Sequence, residues 1–436
     1  MKTALFVLLP YPSHYFVGFG KARQLKAQGY EVVFTGLRSH QTLIEREGFV
    51  FKPLRYASAY KELSFVSLIA LMIQTLLNKS FTVQRYRTFW EEVREIQVLA
   101  DELKPEMLLI DSHLGHYALY LWQVQCTKII LNTKLSSYPE IGIPPLTEGW
   151  LANPNGLAIV RAWAGWQVHF LKRKWKQWLE KIAFLGKDDH WLVERLAQKT
   201  GKKWADWFDN NHCFYPAVKT LPKLITYPGA LEYPWKKPKA GEYYEAIPFE
   251  RNESHLLSDE YCQLMAQLRL VKLQNPAIKV VYANFGTTGL NNNLIGLQAL
   301  DKLIAVLQDM PNIRLIASTN LIKNTDANNV YCLENVPQLD LLQHCDLMVS
   351  HGGLNSICEC MQAGVPMLLC PLSHEADHFG NTARVQFHGM GLICDLLNEP
   401  KMALKNKVER LCCTATAPPH TTWRKPSEIS LIDLAK

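Results

Sequence analysis

The pattern that most constrains this chain is an alternation of short apolar runs with longer amphipathic stretches, and it occurs twice. In the first half, residues 5–9, 31–36, 106–110 and 128–131 predict strands, and residues 18–28 predict a helix that ends at Gly29. The second half repeats the pattern, with strands predicted at 279–285, 313–317, 346–349 and 365–370 and a helix at 297–308. Strands and helices that alternate in this way form parallel sheets with helices on both faces. We therefore expect an α/β protein of two doubly wound, Rossmann-like domains.

The length and composition agree with two domains. A chain of 436 residues, 48% of them hydrophobic, is too long for one ordinary core and too apolar for disorder. Residues 227–248 contain four prolines and two glycines, which predict an extended linker. We expect a first domain at 1–235, a second at 249–412 and an irregular tail at 413–436. The carboxyl ends of the strands would then face each other across a cleft.

Charge and cysteine usage exclude several other classes of protein. The net charge of +7 is spread along the chain without blocks of Lys or Arg, so no nucleic-acid partner is expected. The eleven cysteines form no Cys-x-x-Cys pair, which argues against a structural zinc site. The apolar N-terminal stretch ends at Pro10, which favours a strand over a signal peptide, and the apolar run at 63–77 is shorter than the roughly 20 residues of a membrane span. We therefore predict a cytoplasmic protein.

A segment at 157–185 differs from both patterns, because it is basic and rich in Trp. No acidic residue occurs between Gly149 and Leu179. On a helix, one face would carry Leu171, Trp175, Trp178, Ile182 and Leu185, with Lys172, Arg173 and Lys176 largely opposite. The favoured interpretation is a helix packed on the first domain with its basic side in water. The alternative is a peripheral contact with the inner face of a membrane.

The most informative stretch of the second half follows the strand predicted at 346–349. It reads Ser350-His351-Gly352-Gly353-Leu354-Asn355-Ser356, and the helix after it carries Glu359. Two glycines and a helix start allow backbone N–H groups to hold a phosphate closely. A second candidate phosphate loop follows the strand at 279–285 and contains Gly286, Thr287 and Thr288. Either loop alone would indicate only a turn, but two such loops on neighbouring strands favour a diphosphate.

Residues 336–391 resemble the donor-binding signature of the family 1, or UDP-glycosyltransferase-like, glycosyltransferases, which have the GT-B fold. The matching positions are Val336, Pro337, Gln338, the run from His351 to Ser356, Glu359, Gly364, Val365, Pro366, Pro371, Asp377, Asn381 and Gly391. The resemblance is strong over about 279–395, moderate over about the first hundred residues, and absent from the Trp-rich segment and the tail. It implies two Rossmann-like domains that face each other across a cleft.

The resemblance also implies roles for individual residues. His351 would contact the donor diphosphate, with Gly353, Asn355 and Ser356 around it, and Thr287 and Thr288 would lie beside it. Glu359 would hold the ribose, Gln338 would lie near the base, and Asp377 would bind sugar hydroxyls.

Two departures from the family pattern bear on the donor. Asn335 and Val336 stand where many members have a Trp that stacks on the base, so a thymidine-linked donor is an alternative to a UDP-linked one. The usual Asp-Gln pair reads Asp377-His378, which leaves the sugar open between glucose and galactose.

In the first half, His14 follows the opening strand within the run Pro10-Tyr11-Pro12-Ser13-His14, and Asp111 follows the strand predicted at 106–110. The resemblance places the family's general base in this setting. A histidine base within hydrogen-bond reach of the acceptor hydroxyl is needed because that hydroxyl is a weak acid. Asp111 would fix the tautomer of His14 and stabilise its charged form.

Together these residues predict an inverting glycosyltransferase that moves a hexose from a nucleotide diphosphate sugar to a hydroxyl of a hydrophobic acceptor such as a lipid, a carotenoid or another natural product. The chain has no Asp-x-Asp motif, so no metal is expected, and no cofactor beyond the nucleotide sugar. The alternatives are a nucleotide-sugar epimerase of the same fold and a non-catalytic protein that binds nucleotide sugars.

Overall fold

The structure is a computed structural model of the chain. It describes residues 2–56, 65–77, 79–135, 137–245, 249–286, 294–319, 328–374 and 376–413. Two large sheets, each covered by helices, account for nearly all of the regular structure. The predicted α/β architecture with two doubly wound domains is confirmed.

The first domain is built around seven strands. Its elements are, in order, β1 (Lys2–Val7), α1 (Pro12–Ala27), β2 (Tyr30–Gly36), α2 (Gln41–Arg46), β3 (Val50–Pro53), α3 (Phe65–Leu77), α4 (Lys79–Leu103), β4 (Met107–Asp111), α5 (Tyr117–Tyr120), β5 (Thr127–Asn132), α6 (Leu157–Ala183), α7 (Asp189–Lys199), α8 (Trp204–Trp207), β6 (Phe208–Asp209), β7 (Ala217–Val218), β8 (Lys223–Ile225) and β9 (Glu242–Tyr244). All strands of the main sheet run parallel, in the order β3-β2-β1-β4-β5-β8-β9, and β6 and β7 form a separate antiparallel pair.

The second domain is built around six strands. Its elements are α9 (Asp259–Gln274), β10 (Lys279–Asn284), α10 (Leu294–Leu307), β11 (Ile313–Ser318), β12 (Val330–Leu333), α11 (Gln338–Leu342), β13 (Leu347–Ser350), α12 (Leu354–Ala363), β14 (Met367–Leu369), α13 (His378–Phe387), β15 (Gly391–Ile393) and α14 (Lys401–Cys413). The strands are parallel in the order β12-β11-β10-β13-β14-β15.

Both sheets are buried on both faces, as their near-continuous apolar strands predict. Along β1, Phe6 packs into one apolar cluster and Leu5 and Val7 pack into another on the opposite face. In each sheet the direction of strand order reverses between two central strands, β1 and β4 in the first and β10 and β13 in the second. Ligands of open parallel sheets bind beside the carboxyl ends of such a strand pair. The fold therefore marks one candidate position in each domain.

Two sequence-based boundaries are wrong. Helix α1 begins at Pro12 instead of residue 18, because proline suits the first turn of a helix and leaves no N–H unpaired there. The first domain also continues beyond residue 235. Residues 242–244, which were expected within an extended linker, form β9 and pair in parallel with β8. At the other end, Cys413 is the last residue of α14, and the predicted tail beyond it lies outside the described residues.

The Trp-rich segment packs on the first domain and exposes most of its lysines, as the favoured interpretation has it, but its apolar face is not the face that packs. The segment forms helix α6, but Leu171, Trp175 and Trp178 are exposed, while small residues such as Ala162 and Gly165 are buried against the domain. Small side chains allow a closer approach of the helix backbone than the bulky ones would. Among the described residues, no helix is both long and apolar enough to cross a membrane.

Candidate active site

The first-domain site lies at the carboxyl ends of β1 and β4. Asp111 is the last residue of β4, and His14 lies in the first turn of α1, directly after the loop that leaves β1. Nδ1 of His14 lies 2.6 Å from Oδ2 of Asp111, and the Thr133 hydroxyl lies 3.2 Å from the same nitrogen. Because Nδ1 faces Asp111, Nε2 is the ring nitrogen that remains for a proton from a substrate. The structure thus brings the two sequence-predicted residues together.

The Asp111 carboxylate is buried and has several partners. Oδ1 accepts hydrogen bonds from the backbone N–H of His113 at 2.9 Å and lies 3.0 Å from His113 Nδ1, while the Leu9 N–H donates to Oδ2 at 3.4 Å. Burial by itself would raise the pKa of Asp111, but the charges and hydrogen bonds of His14 and His113 outweigh burial and hold it well below its usual value. The carboxylate therefore stays charged at neutral pH and holds His14 in one orientation.

His14, Asp111 and His113 also form a group of potential metal ligands. One ligand atom from each lies within 4.8 Å of the others, and no second group of this kind occurs in the parts of the chain that the structure describes. All three residues belong to the first domain, so this group lies on the opposite side of the cleft from the expected diphosphate.

The second-domain site lies at the carboxyl ends of β10 and β13. His351 follows β13, and its ring lies between two glycines. A Cβ at Gly286 would come within 2.7 Å of that ring, and one at Gly353 within 2.8 Å. Gly352 has a φ of +88°, a backbone conformation that favours glycine. The glycines of both predicted loops are thus required by the position of His351.

Beside the start of helix α12 lie polar groups that have no protein partner among the described residues. Gly353 caps the helix without a side-chain hydrogen bond, and the first turn contains no acidic residue. Nδ1 of His351, Nδ1 of His378 and Oδ1 of Asn381 are buried and have no hydrogen-bond partner among the described residues. Burial lowers the pKa of His351 to about 3, and the nearby His378 contributes to this shift. An uncapped helix start with neutral imidazoles beside it is suited to an anionic ligand.

Side chains of the second domain reach across the cleft to the first. Asn355, on α12, donates to the backbone carbonyl of Ser13 at 2.9 Å and accepts from the Tyr227 hydroxyl at 2.8 Å. The helix start of the second domain therefore touches the residue next to His14. Lys134 donates to Oδ1 of Asp377 at 2.7 Å, and this pair holds the pKa of Asp377 well below its usual value despite burial.

The predicted base and ribose residues form a buried network. Gln338 accepts hydrogen bonds from the Asn284 amide at 2.7 Å and from the Tyr282 hydroxyl at 3.1 Å, and it donates to Glu359. Arg251 donates to Oε1 of Glu359 at 2.5 Å. Both oxygens of the Glu359 carboxylate are therefore engaged, so a ribose would have to share them with Arg251 or replace it.

Other predicted site residues are placed differently. Val336 is buried in an apolar cluster of the second domain, where it supports the start of α11. Its contact with a nucleobase stays a prediction. Ser356 accepts a hydrogen bond from Gln338 at 3.3 Å. Thr287 and Thr288 lie outside the described residues, so their predicted place beside the diphosphate also stays a prediction.

The second domain matches a known family. Residues 309–417 match the model described as the C-terminal domain of erythromycin biosynthesis protein CIII-like proteins. A segment of 70 residues is 46% identical to the 2-hydroxyacylsphingosine 1-beta-galactosyltransferase of Rattus norvegicus and covers 16% of this chain and 13% of that protein. A segment of 59 residues is 44% identical to the NDP-glycosyltransferase YjiC of Bacillus subtilis and covers 14% of each chain. The matched segments thus span only a small part of these relatives.

The fold of the whole chain is similar to solved structures. The glycotransferase of kitacinnamycin superposes with a TM-score of 0.65 at 15% identity, over 94% of this chain and 91% of that one. The chain has the GT-B fold. Spinosyn rhamnosyltransferase SpnG in complex with thymidine diphosphate gives a TM-score of 0.56 at 14% identity, again over 94% and 91% of the two chains. SpnG has also been solved with the spinosyn aglycone.

Several residues of this GT-B protein were missed by the sequence analysis. His113 carried a weak signal, since it lies two residues from Asp111. Thr133 and Lys134 follow β5, which neighbours β4, so their place at a strand end was the available signal. Arg251 carried none, because it reaches Glu359 from a position 108 residues away in the sequence.

Proposed function

We propose that this GT-B protein is an inverting glycosyltransferase that transfers a hexose from a nucleotide diphosphate sugar to a hydroxyl of a hydrophobic acceptor. The observation that carries the proposal is the hydrogen bond between Asn355 and Ser13. It brings the uncapped start of α12 next to the His14–Asp111 pair. A base and an anion-binding helix start on opposite sides of one cleft are the two parts that such a transfer needs.

The acceptor step follows from the geometry at His14. With Nδ1 held by Asp111, Nε2 accepts the proton of the acceptor hydroxyl as the oxygen attacks the anomeric carbon. The new glycosidic bond forms while the bond to the diphosphate breaks, and the proton remains on His14. Asp111, which stays charged, stabilises the imidazolium that results. A single displacement converts an α-linked donor into a β-linked product.

The leaving-group step follows from the second domain. The backbone N–H groups at the start of α12 and the unpartnered polar atoms of His351 and His378 would meet the negative charge of the nucleoside diphosphate. In the described residues the one group of three metal-ligand side chains lies at His14 instead. We therefore propose that the transfer is metal-independent. Treatment with EDTA should leave the turnover unchanged, and a loss that Mg²⁺ or Mn²⁺ restores would contradict this.

The donor is proposed to be UDP-linked, with a thymidine-linked donor as the alternative. The neighbour SpnG was solved with thymidine diphosphate, and relatives of the second domain include a putative UDP-glucuronosyltransferase of Caenorhabditis elegans. Incubation with a panel of UDP- and dTDP-hexoses and extracted small molecules, followed by mass spectrometry for an added hexose, tests both choices. NMR of the product gives the anomeric configuration, and retention would overturn the single-displacement mechanism.

The acceptor is proposed to be a hydrophobic alcohol or phenol. The proposal rests on the apolar residues of 63–77 and the Trp-rich segment, and on the names of similar proteins. These names include a rat protein named for a hydroxyacylsphingosine and a SpnG complex with an aglycone. The predicted cytoplasmic location is part of the proposal. In the same experiment, release of an epimerised donor in the absence of any acceptor would favour the epimerase alternative. Donor binding without any product would favour a non-catalytic protein.

A further inference from the structure

Helix α6 has two apolar faces, and only one of them is buried. On the inner face, Ala162 and Gly165 pack against the domain, and Nε1 of the buried Trp166 donates to the Ile143 carbonyl at 2.8 Å. A Cβ added at Gly165 would come within 2.9 Å of the Trp150 ring. These contacts fix which side of the helix faces outward. The outer face is therefore exposed by the fold, and not by loose docking of the helix.

The outer face is a long apolar stripe. Leu171 is 66% exposed, Trp175 60% and Trp178 53%, and the stripe continues in both directions along the helix through Leu157, Val160, Val168 and Ile182. At 3.6 residues per turn these positions share a sector about 100° wide. The rings of Trp175 and Trp178 stack with centroids 5.1 Å apart, so they present one flat aromatic surface. An exposed apolar face of this length marks a contact with another molecule or a membrane.

Basic side chains flank this stripe. Lys172 lies on one side of it, and Lys174 and Lys181 lie on the other; all three are exposed. The helix carries no acidic residue before Glu180. Arg173 serves a different purpose, because it donates to the carbonyls of Asn210 and His212 and so ties the helix to the domain. An apolar stripe with exposed lysines on both sides is suited to a surface that is negatively charged at its edge and apolar below it.

A groove of about 640 Å³ lies near the C-terminal end of α6. Its described lining is aromatic and basic without an acidic residue: Val83, Tyr86, Trp90, Lys187, Trp191, Arg195, Gln198 and Lys199. The Lys199 ammonium lies 3.8 Å from the centre of the Trp90 ring, and Nε1 of Trp90 is buried without a partner among the described residues. Arg85 joins this groove to the end of α6, because it donates to the Lys187 carbonyl and stacks on Phe184.

We infer that the outer face of α6 and this groove form a docking surface for an anionic lipid bilayer. The stripe would enter the headgroup region, the flanking lysines would meet lipid phosphates, and the groove would accept a headgroup. A second copy of this chain is a less suitable partner for this surface. A symmetric contact between two such faces would bring their flanking lysines close to each other, and like charges repel. The inference stands on α6 and the groove alone, and it is independent of the proposed reaction.

The test is co-sedimentation of the full chain with vesicles of equimolar phosphatidylcholine and phosphatidylglycerol. The wild type should bind these vesicles, and it should bind pure phosphatidylcholine vesicles much more weakly. The variant Trp175→Gln/Trp178→Gln should bind at least about 10-fold more weakly, because it removes the aromatic part of the stripe. The variant Lys172→Gln/Lys174→Gln/Lys181→Gln should lose about 100-fold in binding to anionic vesicles, since each cation near such a surface contributes about one factor of five.

The matched control is Leu270→Gln/Leu273→Gln, which changes two exposed leucines on α9 of the second domain. This variant should bind vesicles as the wild type does. All substituted residues are exposed, and circular dichroism checks that each variant is folded. Absence of wild-type binding, equal binding by the Trp variant, or a dimer in size-exclusion chromatography with light scattering that the Trp variant abolishes would each overturn the inference.

Discussion

The polar groups on the two sides of the cleft differ in the hydrogen-bond and ion-pair partners that they have before a substrate binds. On the first-domain side, His14 and Asp111 already form a bonded pair at 2.6 Å, and Asp111 has further partners on both oxygens. On the second-domain side, Nδ1 of His351, which is predicted to contact the diphosphate, and Nδ1 of His378 have no partner among the described residues. Glu359 and Asp377, in contrast, are already bound to cations of the protein. One side is assembled before the substrate arrives, and the other must exchange partners when it does.

Because of this difference, substitutions on the two sides should affect different quantities, the turnover number on one side and the affinity for the donor on the other. A preorganised base lowers the barrier of the chemical step and contributes little to holding the donor. Groups that exchange protein partners for donor hydroxyls affect mainly the dissociation constant of the donor. Changes at His14 and Asp111 should therefore act on kcat, and changes at Glu359 and Lys134 should act on donor affinity.

The largest effect is expected for His14→Ala. Without the base, the acceptor hydroxyl must lose its proton to water, so kcat should fall by about 10³-fold while the dissociation constant for UDP stays within about twofold. Steady-state kinetics and calorimetry measure the two quantities. His190→Ala is the matched control, because His190 forms a surface pair with Glu194 at 3.6 Å in the same domain. A variant that keeps substantial turnover would remove His14 from the mechanism.

A smaller loss is expected for Asp111→Asn. The amide still fills the space but no longer stabilises the imidazolium. Because loss of the acid costs less than loss of the base, kcat should fall by about 10²-fold. Because the two residues act as one unit, the double variant His14→Ala/Asp111→Asn should be no slower than His14→Ala alone. Glu194→Gln supplies the control for loss of a carboxylate next to a histidine. Independent, multiplying losses would mean that Asp111 acts on something other than His14.

The sequence predicted the first-domain site better than the second for a physical reason. His14 and Asp111 each follow a buried strand, and strand ends of a parallel sheet meet at one edge, so adjacency follows from the pattern of strands. The partners of Glu359 and Asp377 are Arg251 and Lys134, which come from other parts of the chain. The contact of Lys134 depends on how the two domains are placed, and the contact of Arg251 depends on the path of the loop before α9. The periodicity of the sequence carries no information about either.

The packing face of α6 and the presence of β9 were also predicted wrongly, and each has a physical reason. The sequence showed the apolar and basic sides of α6, but the helix has two faces that could pack on the domain. The face with the small residues Ala162 and Gly165 is the buried one, because small side chains allow closer packing. At β9, proline and glycine on either side were read as a linker, although the three residues Glu242–Tyr244 pair in register with β8. Edge strands this short leave almost no pattern in a sequence.

On the binding side, the first prediction concerns the ribose. If Glu359 exchanges Arg251 for ribose hydroxyls, the wild type should bind UDP about 10-fold more tightly than 2′-deoxyuridine diphosphate, since hydrogen bonds to a charged group are strong. Glu359→Gln should bind both nucleotides nearly alike, with kcat at saturating donor changed much less than in His14→Ala. Glu253→Gln is the control, because Glu253 also pairs with Arg251, at 2.7 Å. Undiminished discrimination in Glu359→Gln would make Glu359 a structural partner of Arg251 only.

The smallest effect is expected at the ion pair that crosses the cleft. Lys134 occupies one oxygen of Asp377, the carboxylate predicted to bind sugar hydroxyls, and Asn381 donates to the other oxygen at 2.9 Å. In the variant Lys134→Met the sugar no longer competes with an ammonium group. The affinity for the intact UDP-sugar should therefore rise about threefold relative to the affinity for UDP, which is about the net contribution of one hydrogen bond.

The control for this prediction is Lys236→Met, which removes a lysine that pairs with Glu140 at 3.5 Å within the first domain. It should leave the ratio of the two affinities unchanged. A fall in that ratio for Lys134→Met would mean that Lys134 itself holds the sugar or the diphosphate. The donor side would then resemble the acceptor side in being prepared before binding, and the contrast between the two sides would disappear.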